Sequence, residues 1–230
     1  MPVTLSVVIP VYNERQTIET IIQRVQNVTI DKEIILVDDD STDGTREYLE
    51  TLDVENVKVF FHNRNRGKGA ALQTGFDHVA GDIVVIQDAD LEYNPEEYHV
   101  LIKPILDGRA DVVYGSRFLT GAERRVLLFW HSVGNQLLTF LSNMITDLNL
   151  SDMETCYKMF RADILKKITI EQNRFGFEPE FTVKISKIQK IKIYEVGISY
   201  NGRDYSEGKK IGWKDAVSAL WCLLKYRFFA

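Results

Sequence analysis

Five apolar runs alternate with helical patterns along the first half of the chain. The runs are continuous and rich in Val and Ile: LSVVIPVY (5–12), EIILVDD (33–39), VKVFFH (57–62), DIVVIQD (82–88) and ADVVYGS (110–116). Such continuous runs are typical of strands that are covered on both faces. Strands that alternate with helices form βαβ units. The sequence therefore predicts an α/β protein with a mainly parallel central sheet.

Four helical stretches connect these predicted strands. They cover residues 17–28, 41–52, 68–80 and 94–106. In the first stretch, four apolar residues share one helical side: Ile18, Ile21, Ile22 and Val25. In the last, Asn94 is a candidate N-cap and Pro95 takes the first helical position, where the missing N–H has no helical partner to lose. Right-handed crossovers then bring the carboxyl ends of the parallel strands to one edge of the sheet.

Beyond Gly115 this alternation stops. An uncharged stretch, 126–146, has the length of a membrane span. It would place His131, Asn135 and Gln136 in hydrocarbon, which is costly, so we interpret it as an amphipathic helix. A mixed stretch follows at 152–168, then a predicted helix near 178–188, a strand at 191–200, a polar loop at 201–210 and a last helix at 213–229. Because the chain has no internal repeat and no low-complexity linker, it is predicted to form one domain.

Charge and cysteine content exclude some classes of protein. The formal net charge is −5 at pH 7, which argues against a general nucleic-acid binder, because such proteins need a basic face. Cys156 and Cys222 are too few and too isolated for a disulfide framework or a thiolate zinc site, which indicates a reducing cytosol. Residues 1–14 lack the basic segment and cleavage site of a signal peptide, and they are predicted to begin the first buried strand.

Three predicted strands end in acidic or polar residues, at the edge where α/β sheets bind ligands. The segments are PVYNE (10–14), VDDDSTDGT (37–45) and QDADLE (87–92). A dinucleotide site would need G-x-G-x-x-G after the first strand, and PVYNE has no glycine. The Gly-Lys pair of NRGKGAA (65–71) lacks the spacing and the hydroxyl of a P-loop. Neither nucleotide-binding motif explains the acidic strand ends.

Asp88, Asp90 and Glu92 alternate just beyond the fourth predicted strand, where packing gives no reason for carboxylates. Residues two apart on a strand point the same way, and Glu92 can reach back as the chain turns. Carboxylate oxygens in this arrangement can hold a hard divalent cation, which in turn bridges a diphosphate. The alternative is a solvated acidic turn. We predict a site for Mg²⁺ or Mn²⁺ and for a phosphate-containing ligand.

The polar loop NGRDYSEGKKIG (201–212) carries cations toward a ligand of this kind. Arg203 offers phosphate oxygens a bidentate fork that Lys209 and Lys210 cannot. Loops that become ordered when a ligand binds commonly close an active site. The alternative is a solvated surface hairpin. We predict that the loop closes over the phosphates.

Five ordered motifs resemble those of inverting family 2 glycosyltransferases with the GT-A fold: SVVIPVYNE, VDDDSTDGT, NRGKGAAL, QDADLEYNPEE and YGSRF. Within that family the chain is most similar to the dolichyl- or polyprenyl-phosphate mannosyl- and glucosyltransferases, and the resemblance extends to DMETCYKMFR, FGFEPEFTVKI and GRDYSEGKKIGWKD. It implies one GT-A domain over residues 1–230, with a nucleotide-sugar-binding half (1–120) and an acceptor-binding, membrane-proximal half (121–230). Asp40 departs from the glycine that the family often has there.

The resemblance also implies a donor site. The residues implied in binding the nucleotide sugar are Pro10, Tyr12, Glu14, Asp38, Asp39, Lys68, Asp88, Ala89, Asp90, Arg117, Arg203, Lys209 and Lys210. The implied ligands of Mg²⁺ or Mn²⁺ are Asp88, Asp90 and Glu92. The implied catalytic residues are Asp88, Asp90, Arg117 and Asp152. Of the paired aspartates, Asp39 would contact the base or ribose, with Asp38 as a second candidate.

On the acceptor side, the residues implied in binding a phosphate are Arg117, Arg124, Arg125 and His131. The alternative for Arg124 and Arg125 is a basic helix end in water, and a lone His131 is more often structural. Asp152 has three open interpretations. It is a candidate general base for a hydroxyl acceptor, whereas a phosphate acceptor is already anionic and needs no base. It could instead orient its neighbours or cap a helix that follows it.

Two helical stretches support a hypothesis of membrane association. In the uncharged one, five apolar residues recur at helical spacing: Trp130, Val133, Leu137, Leu141 and Met144. The last stretch mixes aromatic residues with Lys214, Lys225 and Arg227, a composition suited to a lipid headgroup interface. The alternative is that both helices pack on the sheet or form a homodimer face. The predicted location is the cytoplasm, peripheral on the cytoplasmic face of the membrane.

The preferred functional hypothesis is metal-dependent, inverting transfer of a hexose from GDP-mannose or UDP-glucose to polyprenyl or dolichyl phosphate. The metal ion and the cations would stabilise the leaving nucleoside diphosphate. A second hypothesis keeps this donor site but takes a soluble glycan or another hydroxyl as acceptor. A third is a nucleotide-sugar-binding module without turnover. A fourth, a non-glycosyl nucleotidyltransferase, would need a glycine-rich basic loop after the first strand, which PVYNERQT is not.

Overall fold

The computed structural model describes residues 4–119, 123–126, 129–174, 176–203 and 213–229. The strands in these ranges are β1 Leu5–Val11, β2 Lys32–Asp38, β3 Val57–Phe61, β4 Ile83–Ile86, β5 Val112–Ser116, β6 Lys158–Arg161 and β7 Ile193–Gly197. The α-helices are α1 Ile18–Asn27, α2 Thr45–Glu50, α3 Lys68–Phe76, α4 Tyr98–Leu106, α5 Phe129–Thr146, α6 Phe177–Ser186 and α7 Trp213–Phe228. Short 3-10 helices cover Pro95–Glu97 and Ala162–Lys166. The predicted α/β architecture is confirmed.

All of these strands belong to one sheet, in the order β3-β2-β1-β4-β6-β5-β7. Strand β6 is antiparallel to its neighbours β4 and β5, and every other pair of neighbours is parallel. The mainly parallel sheet is therefore confirmed. The residues that follow β1, β2, β4 and β5 and those that precede β6 meet at one edge, which we call the site edge.

The sequence does not predict β6. Its four residues, KMFR, include two cations, and a run this short shows no readable period. The structure pairs it between two strands and buries Lys158 completely. The ammonium of Lys158 donates to the backbone carbonyls of Met153 and Thr155, which satisfies the buried charge in part. Pairing with the neighbouring strands, and not local pattern, makes this segment a strand.

The main hydrophobic core is a single cluster that spans both halves of the chain. Helix α1 packs into it through the four residues that its spacing predicts: Ile18, Ile21, Ile22 and Val25. Phe160 of β6 and Phe177 and Phe181 of α6 belong to the same cluster. One sheet and one core cluster therefore join the two halves of the chain. The one-domain interpretation and the division at residue 120 both stay predictions.

Helix α5 is oriented with its apolar side outward. Its exposed large apolar residues are Phe129, Trp130, Val133, Leu137, Phe140 and Met144. Its buried residues are Thr139, Ser142 and Thr146. The hydroxyl of Thr146 donates to the carbonyl of Ser142, and that of Thr139 accepts from the N–H of Met153, so two of the three buried hydroxyls have partners. The apolar side of α5 therefore does not pack on the sheet. This contradicts the alternative in which this helix packs there, and it leaves the homodimer alternative open.

Helix α7 packs against α5 and α6 and adds a second exposed apolar side. Its inner residues Cys222, Leu223 and Tyr226 form a small cluster with Val183 of α6. Its exposed apolar residues are Val217, Leu220, Trp221, Leu224 and Phe228. None of the helices in the described ranges is both long enough and apolar enough to cross a membrane. Within 126–146, helix α5 at Phe129–Thr146 has an exposed apolar side and a buried polar side, as the amphipathic interpretation predicts.

Candidate active site

Side chains tie together the loops that follow β1 and β2 at the site edge. The N–H of Asn13 donates to the hydroxyl of Ser41 over 2.9 Å, and the N–H of Glu14 donates to the hydroxyl of Thr45 over 3.0 Å. The second loop places Asp40 at a φ of 67°, a left-handed conformation that glycine adopts freely and that aspartate tolerates better than most residues. The backbone thus explains why this position favours glycine and how Asp40 can replace it.

Asp39 positions the loop that precedes α3. Its Oδ1 accepts from the N–H of Arg66 at 2.9 Å and lies 2.7 Å from Nδ1 of His62. Its Oδ2 accepts from the N–H of Gly67 at 2.6 Å, and this glycine has a positive φ of 99°. The adjacent Asp38 is fully buried, and its Oδ1 has no hydrogen-bond partner among the described residues. A contact of either aspartate with the nucleoside stays a prediction.

Lys68, the first residue of α3, lies between two carboxylates. Its Nζ is 2.9 Å from Asp88 and 3.1 Å from Glu178. Burial alone would lower the pKa of Lys68, but the neighbouring carboxylates raise it well above its usual value, so the ammonium stays charged. Sequence reasoning missed Glu178, although it lies in the motif FGFEPEFTVKI. The structure thus links α3, β4 and α6 through one lysine.

Arg203 lies among three carboxylates of the site edge. Its Nη2 is 2.8 Å from Asp90 and 3.4 Å from Glu14, and its Nε is 3.5 Å from Glu92. Glu92 also accepts from the N–H of Arg203 and from the hydroxyl of Tyr200, each at 2.8 Å. The structure therefore brings together the acidic ends of β1 and β4 and the first cation of the polar loop.

One guanidinium does not neutralise this acidic cluster. Burial and the repulsion of Asp88 and Glu92 raise the pKa of Asp90 to about 7, although Arg203 opposes the shift. Because carboxylate oxygens are the ligands that Mg²⁺ and Mn²⁺ prefer, Asp90, Glu92 and Asp88 fit a divalent cation by donor type and by charge. In the part of the chain that the structure describes, no three His, Cys, Asp or Glu side chains are gathered in metal-binding geometry.

Arg117, just after β5, forms an ion pair with the fully buried Asp152. Its Nε and Nη2 each donate to a different carboxylate oxygen over 2.7 Å, and its backbone N–H donates over 3.0 Å. The chain after Asp152 turns into β6 and forms no helix, so the interpretation of Asp152 as a helix cap is wrong. These contacts agree with the interpretation in which Asp152 orients a neighbouring residue, here Arg117. A role of Asp152 as general base stays a prediction.

The segment 123–126 brings two further arginines to this side of the site. The N–H of Arg125 donates to the carbonyl of Tyr200 over 2.8 Å. The guanidinium of Arg124 donates to the carbonyl of Arg117 over 3.3 Å. Arg124, Arg125 and Tyr200 line a cleft of ≈ 710 Å³ that opens beside the acidic cluster. Three of the four predicted phosphate-binding residues are therefore neighbours.

The remaining predicted residues have mixed outcomes. Pro10 lies in β1 and Tyr12 just beyond it, with 38% of Tyr12 exposed at the site edge. Ala89 is buried. His131 lies near the start of α5 and is partly exposed, and its role at a phosphate stays a prediction. Two predicted donor-loop cations lie outside the described residues: Lys209 and Lys210.

This chain is similar to a family profile and to named enzymes. Residues 6–169 match the profile of the family described as "Glycosyl transferase family 2". The chain is 28% identical to the dolichol-phosphate mannosyltransferase of Pyrococcus furiosus, over 90% of this chain and 60% of that protein. It is 29% identical to the undecaprenyl-phosphate mannosyltransferase of Micrococcus luteus, over 89% of this chain and 86% of that protein. The chain thus spans less than two thirds of the Pyrococcus relative.

Solved structures share the fold. The glucosyl-3-phosphoglycerate synthase of Mycobacterium tuberculosis, in complex with Mn²⁺, UDP and phosphoglyceric acid, superposes with a TM-score of 0.76 at 20% identity, over 99% of this chain and 80% of that chain. The same enzyme with Mg²⁺ and UDP gives 0.73 at 21% identity, over 98% and 79%. At this identity the likeness concerns the fold alone. Because the family profile covers most of the chain and the fold agrees, this protein belongs to glycosyl transferase family 2 and is a glycosyltransferase with the GT-A fold.

Proposed function

We propose that this glycosyltransferase transfers a hexose from GDP-mannose or UDP-glucose to a polyprenyl phosphate, with inversion, in a reaction that needs Mg²⁺ or Mn²⁺. Several relatives are named as mannosyltransferases that act on polyprenyl phosphates, which supports the choice of acceptor. Since identity to them is below 30% and the chain spans only part of some of them, the proposal depends on the site itself.

The pair Arg117–Asp152 is the observation that carries the proposal. A hydroxyl acceptor would need a general base, and Asp152 was the candidate for that task. Its two oxygens each lie 2.7 Å from a guanidinium nitrogen, so it is engaged with Arg117 and not directed at an acceptor. A phosphate acceptor is anionic already and needs cations to hold it. Arg124 and Arg125 would provide these cations, beside Arg117, whose own charge is balanced by Asp152.

The donor end of the proposed reaction uses the acidic cluster and Lys68. Asp90, Glu92 and Asp88 would hold the divalent ion, whose positive charge would stabilise the leaving nucleoside diphosphate. Arg203 contacts the same carboxylates and lies at the start of the polar loop, so it is suited to exchange them for phosphate oxygens when the donor binds. In this scheme the chain's own residues bind the diphosphate, neutralise it and exclude water from it.

The exposed apolar sides of α5 and α7 support a location at a membrane surface, on its cytoplasmic face. Trp130 is 78% exposed on α5, and Trp221 and Phe228 are 61% and 65% exposed on α7. Exposed apolar patches mark interaction surfaces, and aromatic residues next to Lys225 suit a lipid headgroup region. A surface of this kind near Arg124 would bring a lipid phosphate to the acceptor arginines. The competing hypothesis is that these apolar surfaces form the interface of a homodimer.

A radiolabel transfer assay tests the proposal. Purified protein would receive GDP-mannose, UDP-glucose or UDP-GlcNAc in turn, with Mg²⁺ or Mn²⁺, and with or without a short-chain polyprenyl phosphate. We expect label to enter the organic phase with one donor and only when metal is present. Asp90→Ala should abolish the transfer. Asp163→Ala is the matched control, because Asp163 is an exposed aspartate whose ion pair with Lys167 lies outside the site edge.

Each other outcome of this assay has a defined meaning. Donor hydrolysis, or transfer to an added soluble sugar without a lipid product, would contradict the lipid acceptor and favour a hydroxyl acceptor. Donor binding without any turnover would favour the binding-module hypothesis. Flotation with anionic lipid vesicles would test the membrane surface, because Trp130→Gln with Trp221→Gln should release the protein. A concentration-dependent dimer that the same double variant dissociates would instead favour the homodimer.

A further inference from the structure

The strand order puts the start of β6 between the two ends of the proposed reaction. Strand β6 lies between β4, which is followed by Asp88 and Asp90, and β5, which is followed by Arg117. Because β6 is antiparallel to both neighbours, its amino end is the end that reaches the site edge. The turn that precedes β6, residues 152–157, therefore lies between the donor carboxylates and the acceptor arginine.

An inverting transfer requires a particular arrangement of its three components. The leaving diphosphate and the attacking acceptor must approach the sugar's anomeric carbon from opposite sides, so the hexose lies between them. If the proposed function holds, on which this inference rests, the diphosphate binds beyond β4 and the acceptor phosphate binds at Arg117. The hexose would then lie against the turn 152–157.

Two neighbouring side chains of this turn carry polar atoms without partners. Oε1 of Glu154 and Oγ1 of Thr155 are buried, and neither has a hydrogen-bond partner among the described residues. Thr155 is fully buried. Buried polar atoms in folded proteins are nearly always hydrogen-bonded, so unpartnered atoms on two consecutive residues need an explanation. A ligand hydroxyl that binds here would satisfy both.

The cations near Glu154 are already engaged elsewhere. Arg117 is paired with Asp152 at 2.7 Å. The ammonium of Lys158 donates to two backbone carbonyls of the turn. Both cations still attract the Glu154 carboxylate through space. The fold thus holds a carboxylate at the centre of the site edge and leaves one of its oxygens without a hydrogen-bond donor.

We propose that Glu154 binds the hexose of the donor by accepting a hydrogen bond from a ring hydroxyl, with the hydroxyl of Thr155 as a second contact. The donor class that follows is a neutral hexose. A hexuronate would bring another carboxylate toward Glu154 and its acidic neighbour Glu178. The site already disfavours negative charge, because burial and Glu178 raise the pKa of Glu154 to about 7.

The test compares the binding of a nucleotide sugar with that of the nucleoside diphosphate alone. Isothermal titration calorimetry with Mg²⁺ and without acceptor would use UDP-glucose against UDP, and GDP-mannose against GDP. Glu154→Gln keeps the size of the side chain and removes its charge. It should weaken the binding of the nucleotide sugar about tenfold while leaving the binding of the diphosphate unchanged. Glu154→Asp, which withdraws the carboxylate by one methylene, should act similarly. Glu47→Gln, at an exposed position of α2, is the control and should change neither.

The possible results separate this inference from the proposed function. If the Glu154 variants remain folded by thermal unfolding and weaken both ligands equally, or neither, Glu154 does not contact the sugar and the inference is overturned, while the donor site stands. If wild type binds no nucleotide sugar, the proposed function fails and the inference fails with it. In competition, wild type should reject UDP-glucuronic acid more strongly than Glu154→Gln does. Equal rejection would overturn the assignment to a neutral hexose.

Discussion

Two arginines of the site, Arg117 and Arg203, are held in different ways. Arg117 has one carboxylate partner, Asp152, which is fully buried and accepts three hydrogen bonds from it at 2.7 to 3.0 Å. Arg203 has three carboxylate partners at 2.8 to 3.5 Å, all of them partly exposed. Its Nε has no hydrogen-bond partner in the described part of the chain.

This difference indicates that the proposed acceptor side is formed before any ligand arrives, whereas the proposed donor side is not. A buried pair joined by three hydrogen bonds holds its geometry, because separating it would leave a charge uncompensated. The donor cluster has more negative charge than Arg203 neutralises, so another cation can rearrange it. We infer that the acceptor arginine acts as a rigid anchor and that Arg203 changes partners. Three predictions test this comparison.

The largest expected effect comes from removing Asp152. Asp152→Ala should lower the free energy of unfolding by about 3–5 kcal/mol, because Arg117 would remain in a mostly buried position without its partner. Glu14→Ala is the matched change on the donor side and should cost less than about 1 kcal/mol, because Arg203 keeps two other carboxylates. Urea denaturation measures both values. Equal losses in the two variants would show that the arginines are not held differently.

The second prediction concerns pH. The pKa of Asp90 is raised to about 7 in the folded protein, from about 4 in an unfolded chain. Between these values the folded state binds more protons than the unfolded state, so this stabilising contribution is full below pH 4 and is lost as the pH rises through 7. Asp90→Asn removes the contribution of Asp90 to the pH dependence of stability. In EDTA, its stability relative to wild type should therefore increase by on the order of 2 kcal/mol from pH 5 to pH 8.

Urea denaturation of both proteins at several pH values measures this difference. Asp163→Asn, on the exposed surface, is the control and should follow wild type at every pH. A constant difference between Asp90→Asn and wild type would mean that Arg203 neutralises the donor cluster fully, and the proposed contrast with Arg117 would fail.

The smallest expected effect tests the exchange of partners at Arg203. Arg203 and a divalent cation would share the same carboxylates, so removing the guanidinium should let Mg²⁺ bind more tightly. Saturating Mg²⁺ should therefore stabilise Arg203→Ala more than wild type, by about 1 kcal/mol. Thermal unfolding with Mg²⁺ and with EDTA measures it. Arg109→Ala, at an exposed ion pair, should respond to Mg²⁺ as wild type does. A smaller response of Arg203→Ala would contradict the competition.

Much of the sheet and of the acidic site was predictable because local patterns report burial directly. The continuous Val- and Ile-rich runs became β1 to β5, and the parallel topology brought Glu14 and Asp90 to one edge as predicted. Strand β6 was not predictable, because its short cationic run becomes a strand only through pairing. Glu154 was not singled out either, since an unpartnered buried oxygen has no signature in sequence.

Helices α1 and α5 show the limit of prediction from local sequence pattern. Both are amphipathic, yet α1 buries its apolar side and α5 buries Thr139, Ser142 and Thr146 instead. Periodicity identifies the two sides of a helix but not which one faces the protein, because that depends on the elements packed against it. The sequence by itself determined the α/β layers, the family motifs and the acidic strand ends. Only the tertiary structure decided that Arg117 pairs with Asp152, 35 residues away, because such a contact depends on how distant elements pack.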